Sequence, residues 1–417
     1  MEGTLYKNRI RGCLFGGAVG DALGYPVEFL SEEEICSQYG PEGIRQYRLD
    51  RASGRALISD DTQMSLFTAV GLLVGDTRGC MRGIRAWPRS YVAMAYQDWL
   101  RTQESACEEL CSDKLTGERN HLPGGESCVF GQKPISWLLD VPQLYCRRAP
   151  GNTCLDALRG RRESGNPVKD YIAAPLNDSK GCGGIMRIAP LALSRHRDII
   201  KMDYEAAQIA AITHGHSLGY MPAAVLAHII SRIVYPEGSY PQEQTLQKDL
   251  GTADHNPRPL RDIVLEARNA AASVFGGDRH WKELEDIIGL SLRLSANDSC
   301  DRDNIRQIGQ GWVAEETLGI ALYCALRHQD DFTAGVIAAV NHEGDSDSTG
   351  AVTGNILGAL LGYHAISDQW KDNLELADII LEVADDLCQG CRMSEYGDYR
   401  DPVWERKYIA GSKSRFL

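Results

Sequence analysis

Apolar residues recur along this chain mostly at the three-to-four spacing of a helix face, and strand-like alternation is scarce. The pattern predicts helices over 8–24, 60–75, 312–328, 333–342, 350–366 and 375–390. In EAAQIAAITHGHSLGYMPAAVLAHIISRIVY, 205–235, it predicts two helical stretches broken near His214–Gly219. Several of these segments are rich in Gly and Ala, which points to helices that cross at short range. No βαβ rhythm and no solenoid period appear. The fold class is therefore all-α. Two polar segments, 102–134 and 236–262, interrupt the pattern and read as surface insertions.

Composition narrows the functional classes. Of the 417 residues, 43% are hydrophobic and 24% charged, which suits a globular protein with ample core. A net charge of −13 argues against a general nucleic-acid binder or an anionic-membrane binder, though it leaves room for a local phosphate pocket. The N-terminus lacks the apolar run of a signal peptide, and no stretch reads as a membrane span; the nearest, 350–366, holds Asn355 and many glycines. Thirteen scattered cysteines without a secretory signal imply reduced thiols and a cytoplasmic setting. The CxxC at Cys388 and Cys391 and the CxxxC at Cys107 and Cys111 lack the partners that would complete a zinc site.

Candidate chemistry begins in VNHEGDSDSTGAVTGNILGALLG, 340–362, where Glu343, Asp345 and Asp347 stand against an apolar helix. An EF-hand opening at Asp345 fails, because its twelfth position is Ile356 rather than a bidentate Glu. A helix cap, worth about 0.5–2 kcal/mol, accounts for one acid or hydroxyl but not for the cluster. LISDDTQMSL, 57–66, repeats the theme, with Asp60 and Asp61 between Ser59 and Thr62 before another apolar stretch. Glu28, with Asp21 earlier, is a third acidic point. Carboxylates crowded beside apolar helices repel one another and resist desolvation unless cations pair with them. Their hard oxygens suit Mg²⁺, Mn²⁺ or Ca²⁺, and two such motifs could hold a close pair of divalent ions. The motifs lie at opposite ends of the chain, so their cooperation requires N-terminal helices to close on C-terminal ones.

Five segments, in order, resemble the ADP-ribosylglycohydrolases, the family of the dinitrogenase-reductase-activating glycohydrolase and the ADP-ribosyl-acceptor hydrolases. They are GCLFGGAVGDALGYPVEF (12–29), SDDTQM (59–64), NDSKGCGGIMRIAP (177–190), ITHGHSLGY (212–220) and the 340–362 segment. The resemblance implies a single domain over 1–417, a compact orthogonal multi-helix bundle, with two Mg²⁺ (or Mn²⁺) ions. The family's Thr-Asp-Asp motif falls on Ser59, Asp60 and Asp61, and its Asp-x-Asp-Thr motif on Asp345, Asp347 and Ser348. Both family threonines are serines here, which keep the hydroxyl. A Glu that approaches the metals in several members falls on Glu28. The expected proton-transfer group is a carboxylate, drawn from Glu28, Asp60, Asp61 and Asp345.

Substrate contacts are expected from Gly181, Cys182, Gly183, Gly184, His214 and Gly344. The glycines let backbone N–H groups approach phosphate, although an ordinary turn would use the same residues. Cys182 stands where many members have Asn, and reads as a small loop residue rather than a nucleophile. Arg187 is open to a phosphate contact or a structural ion pair, and His214 and His216 to a ribose contact or a core role.

The resemblance implies hydrolysis of the N-glycosidic bond between ADP-ribose and an arginine side chain of a modified protein. The SKGCGG, THGH and NHEGDSDSTG versions look closest to the bacterial arginine-type branch, which includes immunity proteins against ADP-ribosyltransferase toxins. Some of those plug the toxin with an N-terminal extension; here the first motif begins near residue 9, so any plugging is expected from the two insertions. Rival classes are an enzyme acting on O-linked, nucleic-acid-linked or free ADP-ribose derivatives, and a non-catalytic binder that occludes a transferase.

Overall fold

A computed structural model describes residues 2–105, 134–165, 168–194, 198–236 and 258–411. Among them every regular element is helical, and the only β-type pairings are isolated bridges such as Gly181 with Val313. The helices are α1 (Glu2–Gly24), α2 (Glu32–Tyr39), α3 (Asp60–Arg82), α4 (Pro88–Glu104), α5 (Asn152–Ser164), α6 (Ala189–Leu193), α7 (Ile199–Ala210) and α8 (Ser217–Val234). After them come α9 (Leu260–Phe275), α10 (Trp281–Leu294), α11 (Asp301–Ile308), α12 (Ala314–Arg327), α13 (Phe332–Val340), α14 (Ser346–Leu361), α15 (Asp368–Lys371), α16 (Ala377–Gln389) and α17 (Pro402–Tyr408). The expected all-α architecture is what the chain adopts. A main hydrophobic cluster runs from Ile10 on α1 to Tyr408 on α17, and a smaller one gathers Ile305, Ile308, Ile320 and Tyr323.

At the centre of the bundle, α1 and α14 lie antiparallel with their backbones in contact. Gly12, Gly16 and Gly20 face Gly358, Gly354 and Gly350, and a Cβ on any of the six would fall under 3 Å from a carbonyl oxygen of the opposite helix. Glycine at every fourth position makes one bare stripe per helix, and two such stripes allow this approach. The Asn355 amide adds a bond to the Cys13 carbonyl at 2.8 Å. The antiparallel register matters for function, because it sets the C-terminal end of α1 beside the N-terminal end of α14. Gly24 meets Ser346 and Asp347, and the chain then turns through Tyr25–Val27 to Glu28.

The N-terminal acidic motif is fastened to the same place by Asp21. Its carboxylate, fully buried on α1, accepts from the Ser59 N–H at 2.9 Å, from the Thr62 N–H at 3.1 Å and from the Thr62 hydroxyl. Asp21 thus satisfies orphan donors at the start of α3 from another helix, and holds SDDT against α1.

Helix boundaries differ from the sequence pattern in informative ways. The helix expected over 350–366 begins at Ser346, because Asp345 caps it by accepting from the Ser348 N–H at 3.3 Å. The helix expected over 60–75 runs to Arg82 and ends at Gly83, in the left-handed region at φ 66°. The break expected near His214–Gly219 falls at 211–216, between α7 and α8, with Gly219 already inside α8. Helix α8 matches a membrane span in length and hydropathy, unlike any stretch singled out from the sequence, but 94% of that window is buried by its neighbours. Of the two expected insertions, 106–133 and 237–257 lie outside the described residues. Their flanks are helical, with 102–104 closing α4 and 260–262 opening α9.

Candidate active site

The first turn of α14 supplies one wall. Asp345 is the N-cap and Asp347 stands within the turn, its Oδ1 accepting from the Ser348 N–H at 2.9 Å. Gly344, at φ 137°, turns the chain into the cap, and a Cβ there would strike the Gln310 carbonyl. That carbonyl accepts from the Asp345 N–H at 2.8 Å, so the loop before α12 fixes the cap from outside. Glu343 points to the surface, where its carboxylate accepts from the Gln310 amide at 3.2 Å, away from the acids beside it.

Glu28 faces this turn. Its carboxylate and those of Asp345 and Asp347 have oxygens within 4.8 Å of one another, and all three residues are buried. Asp60 and Asp61, at the start of α3, are buried too and repel the same group. Two oxygens, Glu28 Oε2 and Asp61 Oδ2, have no hydrogen-bond partner. The cations around the site are engaged elsewhere: Arg148 with Glu375, Lys180 with Glu315, and Arg187 with the Thr213 hydroxyl at 2.6 Å.

The electrostatic result is a set of carboxyls that hold their protons. Burial, then the charges of Asp345, Asp60 and Asp21, push Glu28 up to about 9. Burial foremost, and repulsion among the acids next, hold Asp60, Asp61 and Asp347 well above the usual carboxylate range. Asp21 rises only to about 6, because hydrogen bonds from Thr62 and Ser59 offset its burial. It is a fastener, and the others are a cluster short of positive charge. A hard divalent cation fits that deficit, since carboxylate oxygens are its preferred donors and two of them point at nothing else.

These acids bind protons more tightly in the folded chain than in the unfolded one. Their contribution to stability is complete below the ordinary carboxylate range and is lost as pH rises through the folded values, about 9 for Glu28. Chelator-treated protein is expected to lose melting temperature steadily from about pH 5 to 9. Added Mg²⁺ or Mn²⁺ should restore it by an increment that grows with pH. Differential scanning fluorimetry with and without the cation checks both signs; an increment independent of pH would count against the cluster as the binding site.

The glycine-rich loop lies across the acids. Cys182 and Gly183–Gly184 form a single turn, pinned by the Cys182 N–H to the Trp312 carbonyl at 3.3 Å and by the Ala314 N–H to the Lys180 carbonyl at 2.9 Å. The Cys182 thiol donates to Asp345 Oδ2 at 2.7 Å. His214 is buried beneath this loop: a Cβ on Gly181 or Gly183 would touch its ring, and its Nδ1 pairs with the Thr213 hydroxyl at 2.8 Å. Burial and the nearby Arg187 push it down to about 3, so it is a neutral support. His216 caps α8 through the Leu218 N–H at 3.1 Å. Arg187, fully buried, lies over the Tyr96 ring at 4.4 Å, and its charge reaches Asp60, whose pKa it lowers against the larger effect of burial. Ser59 Oγ accepts from the Asp61 N–H at 3.2 Å, and Ser348 Oγ lies on the Met186 sulfur at 3.9 Å. Cys388 and Cys391 join no group of three metal-ligating side chains among the described residues.

With this geometry in view, the ADP-ribosylglycohydrolase family profile matches residues 2–397. The chain belongs to the ADP-ribosylglycohydrolase family. This is a family of ADP-ribosyl hydrolases, typically metal-dependent. Relatives include the ADP-ribosyl-[dinitrogen reductase] glycohydrolase of Rhodospirillum rubrum, 23% identical over 90% of this chain and 93% of its own. The ADP-ribosylarginine hydrolase Tri1 of Serratia proteamaculans is 23% identical over 91% of this chain and 79% of its own. A solved ADP-ribosylglycohydrolase-related protein has the same fold, with a TM-score of 0.57 at 22% identity over 93% of this chain and 99% of that one.

Two residues at the edge of this ADP-ribosylglycohydrolase site escape the motif reading. Phe29, 71% exposed beside Glu28, stacks on Trp312, 38% exposed beside the glycine-rich loop, with ring centroids 5.6 Å apart. Its place directly after Glu28 in the first motif was the available signal for Phe29. Trp312 had none, since only the fold brings it near.

Proposed function

We propose that the chain is a divalent-cation-dependent ADP-ribosylarginine hydrolase, which removes ADP-ribose from modified arginine side chains of cytoplasmic proteins. The observation that carries the reading is the buried cluster of Glu28, Asp345 and Asp347, with buried Asp60 and Asp61 near enough to repel these acids, within a chain of this family. Its likeness to Tri1, an ADP-ribosylarginine hydrolase, over most of the chain supports arginine as acceptor.

Asp60, Asp61, Asp345 and Asp347, with Ser59 and Ser348 beside them, would hold two Mg²⁺ or Mn²⁺ ions. When bound, such ions orient ribose hydroxyls and lower the pKa of a water. The chain's own residues do the rest. Gly183, Gly184 and Gly344 border the acids and bind the adenosine diphosphate part through backbone N–H groups, while the Gly181 and Cys182 N–H groups hold the loop to Ser179 Oγ and the Trp312 carbonyl. Glu28 moves the proton: as the C1″–N bond breaks, the water's hydroxyl ends on C1″ and its proton on the departing guanidine, carried by the one acid outside the two helix-start motifs. Asp61 and Asp345 supply the negative field that an oxocarbenium-like state requires.

The test is incubation with arginine-, serine- and DNA-linked ADP-ribose, with Mg²⁺ or with chelator. Release from the arginine conjugate alone, abolished by chelation, is the expected result. Release from another linkage moves the assignment to that acceptor. No release from any conjugate, together with tight binding to an ADP-ribosyltransferase, makes the chain an occluding partner instead.

A further inference from the structure

We propose that Cys182 makes the acidic centre a site for a thiophilic divalent cation of the Zn²⁺ or Cd²⁺ class, bound by the Cys182 sulfur together with the Asp345 carboxylate. The inference rests on the divalent-cation centre proposed above, and adds a ligand of different chemistry to it. The Cys182 sulfur lies 2.7 Å from Asp345 Oδ2, and Asp345 shares its 4.8 Å cluster with Glu28 and Asp347. The loop holds the thiol there, because the Cys182 N–H is tied to the Trp312 carbonyl. A second, independent observation points to a ligand: Glu28 Oε2, in that cluster, is buried without a partner, as is Asp61 Oδ2 at the start of α3.

A thiol hydrogen-bonded to a carboxylate becomes a sulfur–oxygen ligand pair once its proton is lost. On uptake, the S–H proton leaves to solvent and a sulfur–metal bond takes its place. Mg²⁺ gains nothing from that sulfur, whereas Zn²⁺ accepts both donors. A thiophilic ion should therefore displace Mg²⁺ from this chain far more readily than from a chain lacking the thiol.

Cd²⁺ is the probe, added to the metal-free full-length protein. Alkylation of Cys182 is read on its own peptide by mass spectrometry, the thiolate-to-cadmium charge-transfer band by ultraviolet absorption, and Mn²⁺ binding by electron paramagnetic resonance. Cd²⁺ is expected to protect Cys182 from alkylation, and Mn²⁺ to compete that protection away. Cys182→Asn should weaken Cd²⁺ binding at this centre by roughly 10–100-fold, the range that even outer metal partners contribute, and leave Mn²⁺ bound. If Mn²⁺ binds but Cys182 reacts equally with and without Cd²⁺, the thiol plays no part and the inference is overturned while the centre stands. If neither ion binds, both readings fall. The alkylation arm uses the unmutated protein, so a variant that folds poorly does not decide the outcome.

Discussion

Asp60→Ala and Asp347→Ala should each lower ADP-ribose release by on the order of 10³-fold, while leaving the metal-free protein as stable as before or more so. The size follows from charge stabilisation of several kcal/mol lost with a cation, at a factor of ten per 1.36 kcal/mol. The sign on stability comes from burial. Both carboxyls sit well above their ordinary range because burial and neighbouring acids disfavour the charged form, so removing either relieves a cost rather than a bond. Ordinary destabilising substitutions lose activity and stability together. Here the two should separate, as expected where strain is stored at a functional site. Asp21→Ala is the contrasting case. Asp21 accepts three bonds that fasten α3 to α1, and its loss leaves buried donors unpaired at about 1–3 kcal/mol. Turnover and urea midpoints on all three variants, with and without Mn²⁺, check the split. Equal destabilisation of all three would make the cluster structural.

Those three aspartates also show what could be read from the sequence and what could not. Apolar spacing located the largely buried helices α3, α8 and α14, whereas it gave no expectation for α4, α9 or α10. The acid motifs stood out because two of them repeat one chemistry at distant points. The start of α14 was misplaced by four residues, since GDSDST looks like loop to a hydrophobic pattern and only the Asp345 cap shows where the turn begins. Asp21 was visible as an acid, but its role required knowing that α1 and α3 touch. The same limit hid Trp312, and it left His214 and Arg187 open: a buried base and a buried cation read alike whether they line a pocket or support it. Glu343 looked like a third acid of its motif. One residue of backbone rotation at Gly344 sends it outward.

Gly12→Ala and Gly24→Ala should both destabilise the protein, but only Gly24→Ala should weaken cation binding. In a helix interior, glycine to alanine ordinarily gains about 1 kcal/mol. At these positions the added Cβ meets backbone: the Gly358 carbonyl and the Tyr363 nitrogen opposite Gly12, and the Ser346 carbonyl and Asp347 Cα opposite Gly24. Backbone cannot rotate aside as a side chain does, and overpacking costs about 1–3 kcal/mol or more. The clash therefore wins, and each variant should show a lower urea midpoint; Gly277→Ala, where a Cβ meets nothing within 4 Å, is the neutral control. Twelve residues of helix put the two sites about 18 Å apart. Parting α1 from α14 at Gly12 disturbs the end remote from the acids, whereas parting them at Gly24 moves Asp347 away from Glu28 directly. Mn²⁺ affinity should then fall in Gly24→Ala and hold in Gly12→Ala at matched loss of stability. A glycine ladder that only glued two helices together would weaken both alike. One that sets the distance between the halves of a metal site must show the difference.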